Sequence, residues 1–277
     1  MFPWIYEFHW SVGHLVFLGL FFSVAAIVAT TIVLALRRSR KTLADQGHEL
    51  IQWKTEFEDL PAAVRVCRHQ ITGEAKERTC HNEFDCRSCA GHPQFLARRS
   101  PALASAQTRE ECYGVVLPLD RYYHRGHTWV KAEKDGTYTI GLDDFGAKMV
   151  GTPDALELPE VGHTLTANGT GWTMRKRASS LRILAPVDGV VVEQGGADKG
   201  WYLRIRTEAN EHAFRHLLRG EEIRPWILRE LERLEYALSS DKMGLSLADG
   251  GELMPEMWKH DPDIDWDGVW GTMLLQA

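Results

Sequence analysis

The residues best equipped for chemistry stand close together. Cys67, Cys80, Cys86 and Cys89 fall in one short segment, with His69, His81 and His92 interleaved. A Cys-x2-Cys pair lets two thiolates reach one ion from a tight turn, and a more distant pair closes the tetrahedron that Zn²⁺ prefers. The polar stretch between them, residues 72–78, could not form a core by itself, so a metal would also explain how the segment folds. The four cysteines are therefore the expected metal ligands and zinc the expected metal. A [4Fe–4S] cluster is the alternative and a metal-free or redox dithiol a further one, and any of the three histidines could replace a cysteine. Cys112 stands apart and reads as a small buried side chain rather than a nucleophile.

Thiols become ligands or disulfides according to compartment, which the N-terminal region decides. Residues 15–36 carry no charge, and about 22 helical residues span roughly 33 Å, enough for a bilayer core. Arg37, Arg38, Arg40 and Lys41 flank its C-terminal end, which by the positive-inside rule puts that side in the cytoplasm and the short N-terminus outside. The opening residues lack the basic start of a signal peptide, so the span is expected to remain uncleaved in a bacterial cytoplasmic membrane. Trp4, Tyr6, Phe8 and Trp10 suit an aromatic belt and contact with a neighbouring membrane subunit. His9 and His14 lie at the edge of the span with no matching opposite ligand, which argues against haem. In a reducing compartment the cysteines favour metal over disulfides.

The chain of 277 residues has room for one or two cored domains plus appendages, and its net charge of −6 gives no bulk attraction to nucleic acid. It contains no triad arrangement, paired-carboxylate cleft, phosphate loop or dinucleotide fingerprint. No enzymatic activity and no small-molecule substrate are inferred.

The elements that must position such a segment centre on residues 182–193, Arg-Ile-Leu-Ala-Pro-Val-Asp-Gly-Val-Val-Val-Glu, which read as two strands around a tight turn. Upstream come Gly126-His127-Thr128-Trp129-Val130, Asp135-Gly136-Thr137-Tyr138-Thr139-Ile140-Gly141-Leu142 and Leu158-Pro159-Glu160-Val161-Gly162. In order and spacing, residues 122–206 resemble the glycine-cleavage H-protein, a relative of the lipoyl domains. The resemblance implies a β barrel-sandwich hybrid and, in the family, a lysine that carries lipoate on a hairpin tip eight residues before the proline of the turn. That position is Ala178 here, and the family's preceding glutamate and serine align with Arg175 and Lys176. Lys176 could serve as a displaced acceptor, but two residues along a strand is roughly 7 Å, a large error for an attachment enzyme that reads geometry. Lipoate is therefore not expected. Arg175, Lys176 and Arg177 form a basic tip, read either as a solvated turn or as a docking point for an acidic partner or anionic lipid. His124 and His127 precede Trp129 and are read as structural.

The expected organisation is a single transmembrane α-helix plus an α+β soluble region. It comprises an N-terminal tail and span (1–41), a helical stalk (42–62), the Cys-rich metal module (63–92) and a linker (93–113). The H-protein-like domain (114–206), amphipathic helices (207–240) and an acidic Trp-containing tail (241–277) follow. In the helical region Phe214, Leu217, Leu218, Ile223, Trp226, Ile227, Leu231, Leu234 and Leu238 recur at three to four, and His212 and His216 share a face as surface residues. In the tail, residues 263–268 match half of an EF-hand loop, but the twelfth position is Leu274 rather than glutamate, so the tryptophans are expected to anchor the tail instead. The functional expectation is a membrane-anchored accessory subunit capping the cytoplasmic side of a respiratory or photosynthetic electron-transfer complex. The alternative is a carrier, of lipoate on Lys176 or of electrons through the cysteines.

Overall fold

The computed structural model describes residues 11–45, 56–97, 108–207, 212–239, 252–259 and 262–275. It divides into two units, Met1–Gly47 and His48–Ala277.

Among the described residues the first unit is one helix, α1 (Val12–Asp45). Within its part Val12–Arg37 an 18-residue stretch has a mean hydropathy of 2.5 and is 0% buried, which makes this part a candidate membrane span by length and composition. The hydroxyls of Ser23, Thr30 and Thr31 donate back to the carbonyls of Leu20, Ala26 and Val28, so these polar groups are satisfied within the helix. Trp4, Tyr6, Phe8, His9 and Trp10 lie outside the described residues. So do residues 46–55, the middle of the expected stalk. The stalk's end belongs to the second unit: Phe57–Asp59 is a 3-10 turn whose Phe57 is buried against Phe84, Leu184 and Leu275.

The second unit opens with two short helices, α2 (Arg68–Ile71) and α3 (His92–Leu96). A hairpin follows, β1 (Arg109–Cys112) paired with β2 (Val115–Pro118) where a linker was expected. Tyr113 and Gly114 close it at φ 48° and 77°, the left-handed pair that matches strand twist in a two-residue turn. Next come β3 (Tyr122–Tyr123), β4 (Thr128–Ala132), β5 (Tyr138–Leu142) and α4 (Asp144–Val150). They are followed by β6 (Ala155–Glu157), β7 (Thr164–Leu165), β8 (Thr170–Lys176), β9 (Ser179–Leu184), β10 (Gly189–Gly196) and β11 (Trp201–Arg206). Two more helices, α5 (Ile223–Ser239) and α6 (Trp266–Met273), close the described chain.

One sheet runs β3-β4-β5-β11-β10-β7 and a second runs β6-β8-β9, with every pairing antiparallel. Together they make the curled half-barrel expected of an H-like domain. Alternation sends Val130, Ile140, Trp172, Ile183, Leu203 and Ile205 into one core. Asp143 caps α4 by accepting from the Gly146 amide.

The Ala-Pro-Val-Asp-Gly turn is not a hairpin. β9 pairs with β8 and β10 with β11 and β7, so the turn carries the chain from one sheet to the other. The preceding loop captures it: Asn168 and Ala185 backbone amides donate to the carbonyls of Ala185 and Gly169, and Asp188 accepts from the Ala167 amide at 2.8 Å.

The helical region also differs from its sequence reading. Residues 212–216 are turns, and only α5 is a long helix there. His216 is buried and donates from Nε2 to the Pro186 carbonyl at 2.6 Å, while His212 is exposed. On α5, Trp226, Ile227, Leu231 and Leu234 turn inward as their spacing requires. Glu230 turns inward with them and is fully buried. His127 explains this. Its ring lies between Phe145 and Trp226, at 4.4 and 5.3 Å between centroids. Its Nδ1 meets Asp143 at 3.0 Å and its Nε2 stands 3.8 Å from Glu230, which also accepts from Arg233 at 2.5 Å. Burial disfavours the charged ring, but the two carboxylates outweigh it and raise the His127 pKa to about 9. For Glu230, Arg233, His127 and Arg125 outweigh burial and hold the carboxyl down at about 2. The pair joins α5 to the sheet, so this helix is part of the H domain rather than an appendage.

Candidate functional site

In an H-like fold the chemistry would be at the tip of the β8–β9 hairpin. Register pairs Lys176 with Ser179 and leaves Arg177-Ala178 as a two-residue turn, with Arg177 at φ 56°. Ala178 is exposed at the very tip. Arg175 is open to solvent, its guanidinium 3.9 Å from Glu157. Arg177 is exposed, and its amide donates to Asp154 at 2.7 Å.

Lys176 is different, at only 4% exposed. Its ammonium donates to the Thr152 carbonyl and sits 3.7 Å from Asp154, 3.8 Å from Glu256 and 4.7 Å above the Trp258 ring. Trp258 also lies 5.7 Å from the Arg177 guanidinium. The C-terminal segment 252–259 therefore covers one flank of the tip. Backbone bonds hold it there, from Leu253 N to Tyr113 O and from Glu256 N to Lys148 O, both 2.8 Å. Gly151, at φ 70°, leaves room for it: a Cβ there would lie 2.7 Å from Glu256 Oε1. On the other flank Ser179 donates to Asp267 at the start of α6, and Trp266 and Trp270 anchor that helix in the core. The tail's contact with the tip was not legible in the sequence. An acidic, Trp-containing tail beside a basic tip was the one available hint.

The cysteine segment folds against the H domain rather than as a module of its own. A β-bridge between Val66 and Thr79 sets Cys67 and Cys80 on adjoining strands. Cys80 joins the Phe57, Phe84, Leu184 and Leu275 cluster, and Arg125 stacks 3.7 Å from the Phe84 ring centroid. The buried Arg68 binds the buried Glu222 of the 3-10 turn before α5, and Arg87 reaches Asp188 at 3.0 Å. All five cysteines are free thiols. Cys67, Cys80 and Cys86 lie within one another's electrostatic reach; burial raises the Cys67 pKa and pushes that of Cys86 up to about 12. Cys89 is half-buried one turn after Cys86. Among the described residues no group of three or more His, Cys, Asp or Glu side chains stands close enough to hold a metal ion. Of the histidines considered as substitutes, His81 is exposed, while His69 and His92 bond to each other at 2.9 Å. Packing against the H domain explains how the segment folds, so the spacing argument for a metal loses that support.

The half-barrel with a turn-linked hairpin tip defines a lipoyl-carrier-like domain, and comparison with known proteins agrees. Residues 121–228 match the family model of the glycine cleavage H-protein. The glycine cleavage system H protein of Listeria innocua is 34% identical over 119 residues, 38% of this chain and 94% of that protein. That of Shewanella frigidimarina is 34% identical over 103 residues, 32% of this chain and 80% of that protein. Among solved structures, the H protein from Mycobacterium marinum is 24% identical with a TM-score of 0.33, covering 38% of this chain and 94% of its own. The chain belongs to the glycine cleavage H-protein family, and its H domain takes in α5 up to Leu228.

Proposed function

We propose that this protein is a membrane-tethered member of the H-protein family in which the H domain has become a fixed structural and docking module. It would serve as an accessory subunit of a membrane complex, an electron-transfer assembly, with no carrier arm and no enzymatic activity. One observation carries the reading: the lysine nearest the family's attachment point is 4% exposed and clamped beneath the chain's own tail, while the attachment position itself is alanine. A swinging arm needs an exposed lysine at the tip. The apolar helix α1 supports the tether, with the bacterial cytoplasmic membrane and a cytoplasmic C-terminal part following from its basic flank.

A carrier function is the second reading, and membership of the H-protein family favours it. In that case lipoate would sit on Lys176 after displacement of residues 252–259. A metal at Cys67, Cys80, Cys86 and Cys89 rests on their spacing in the sequence alone; zinc would be structural there and iron–sulfur would add an electron-carrying role. Purification of the full chain in gentle detergent tests these readings together. Co-purifying membrane subunits, lost when the chain is deleted, support the accessory role, whereas a solitary chain bearing lipoate or iron contradicts it. Metal analysis decides the cysteines, with stoichiometric zinc or iron supporting a site and metal-free thiols removing it.

A further inference from the structure

Where the cysteine segment meets the H domain there is a cavity of about 310 Å³, lined by Arg68, His92, Tyr122, Phe214, Arg215 and Arg219 among others. Two of these side chains are built into the fold. Arg68 is 6% exposed, bound to Glu222 through Nε and Nη2 and to the Arg215 carbonyl through Nη1 at 2.6 Å. His92 is 1% exposed. Arg215 and Arg219 are exposed at the rim, and Arg219 is braced by the Tyr122 hydroxyl at 3.3 Å. Tyr122 and Phe214 form an aromatic wall with centroids 5.2 Å apart.

The histidine has a defined direction. Glu74 takes the Nδ1 proton of His69, so the Nε2 of His69 is an acceptor and receives the Nδ1–H of His92. That chain leaves a lone pair on His92 Nε2, a buried atom with no hydrogen-bond partner. Buried polar atoms are almost always satisfied, and His92 is among the residues that line the cavity, so a ligand atom taken up there can supply the missing partner. The missing partner must be a donor, whereas arginine forks select anionic oxygens. Hydrogen phosphate supplies both on one small group: charged oxygens for Arg215 and Arg219, and a P–OH for His92.

We propose that this cavity is a phosphate site in which Arg215 and Arg219 hold the anionic oxygens and His92 Nε2 accepts the phosphate hydroxyl. It is independent of the role of the hairpin tip. Sulfate has the same shape and charge at neutral pH but no hydroxyl, so it would leave the histidine unsatisfied. A phosphomonoester dianion lacks the hydroxyl as well, which separates free phosphate from an organic ester.

Isothermal titration of the full chain in detergent with inorganic phosphate, sulfate and glycerol phosphate tests this. The expected order places phosphate at least about tenfold tighter than the other two. Arg215→Gln should weaken phosphate by about tenfold or more, and His92→Phe should erase the preference over sulfate. Because His92 is buried, failure of its variant to fold leaves the exposed Arg215 variant to decide. Absence of phosphate binding, equal affinity for phosphate and sulfate, or an Arg215→Gln variant that binds phosphate unchanged would overturn the site. Tighter binding of glycerol phosphate than of phosphate would overturn the hydroxyl assignment in favour of an organic ester.

Discussion

Replacing Trp258 by alanine should unlock Lys176. The indole faces two cations of the tip, the Lys176 ammonium at 4.7 Å and the Arg177 guanidinium at 5.7 Å. A cation–π contact at a partly exposed site is worth about 0.5–1 kcal/mol, so losing both removes about 1–2 kcal/mol from the closed arrangement. That corresponds to about a 5–30-fold increase in the fraction of time the segment is open. Glu256, Asp154 and the Thr152 carbonyl remain, so the tip stays folded. The assay is amine acylation under limiting reagent, followed by peptide mass spectrometry. Lys199, whose side chain is 47% exposed, provides the internal rate standard. In the unaltered chain Lys176 should react far more slowly than Lys199, and Trp258→Ala should raise its relative rate within that range. Equal rates for the two lysines in the unaltered chain, or a variant with no change, would refute the covering role assigned to the tail.

Two further predictions concern the H domain's own stability. Gly141→Ala should destabilise it by about 1–3 kcal/mol in urea melts, because a Cβ there would sit 2.8 Å from Trp129 Nε1 and the ring cannot yield: it donates to the Leu142 carbonyl at 2.9 Å beneath the Arg121 guanidinium. Stability should also peak near neutral pH. His127 is raised from 6.5 to about 9, so its contribution is complete below about 6.5 and is lost as pH climbs through 9, whereas burial lowers His124 to about 4 and His216 to about 3, so stability falls as pH drops below 6.5. Urea midpoints across pH check this, and the alkaline decline should flatten in His127→Gln; a decline that persists there would show that another group causes it.

The sequence exposed those parts of the fold that depend on local pattern. Residues 126–130 and 135–142, which carried the resemblance, contain most of β4 and all of β5. Partner choice was less visible, because it depends on distant chain. The Pro-Val-Asp-Gly turn looked like a hairpin until the loop 167–169 took up its backbone groups. Residues 109–112, polar and without periodicity, became a strand through pairing with 115–118. Nothing in the sequence singled out Glu230, whose burial is explained by His127, about a hundred residues earlier. At the site, Ala178 was readable through the resemblance to the H-protein family, but the burial of Lys176 was not, since residues about eighty positions later produce it. The cysteines are the opposite case. Their spacing suggested a self-contained metal module, while their fold rests on Phe57, Phe84, Arg125 and the Arg68–Glu222 pair.

Whether the hairpin tip carries an arm separates a fixed docking module from a carrier. Full chain incubated with lipoate, ATP and a lipoate ligase, beside an ordinary H-protein as positive control, should give an intact mass with no lipoyl addition while the control is fully modified. A stoichiometric lipoyl adduct mapped to Lys176 would contradict the account and return this protein to the carriers.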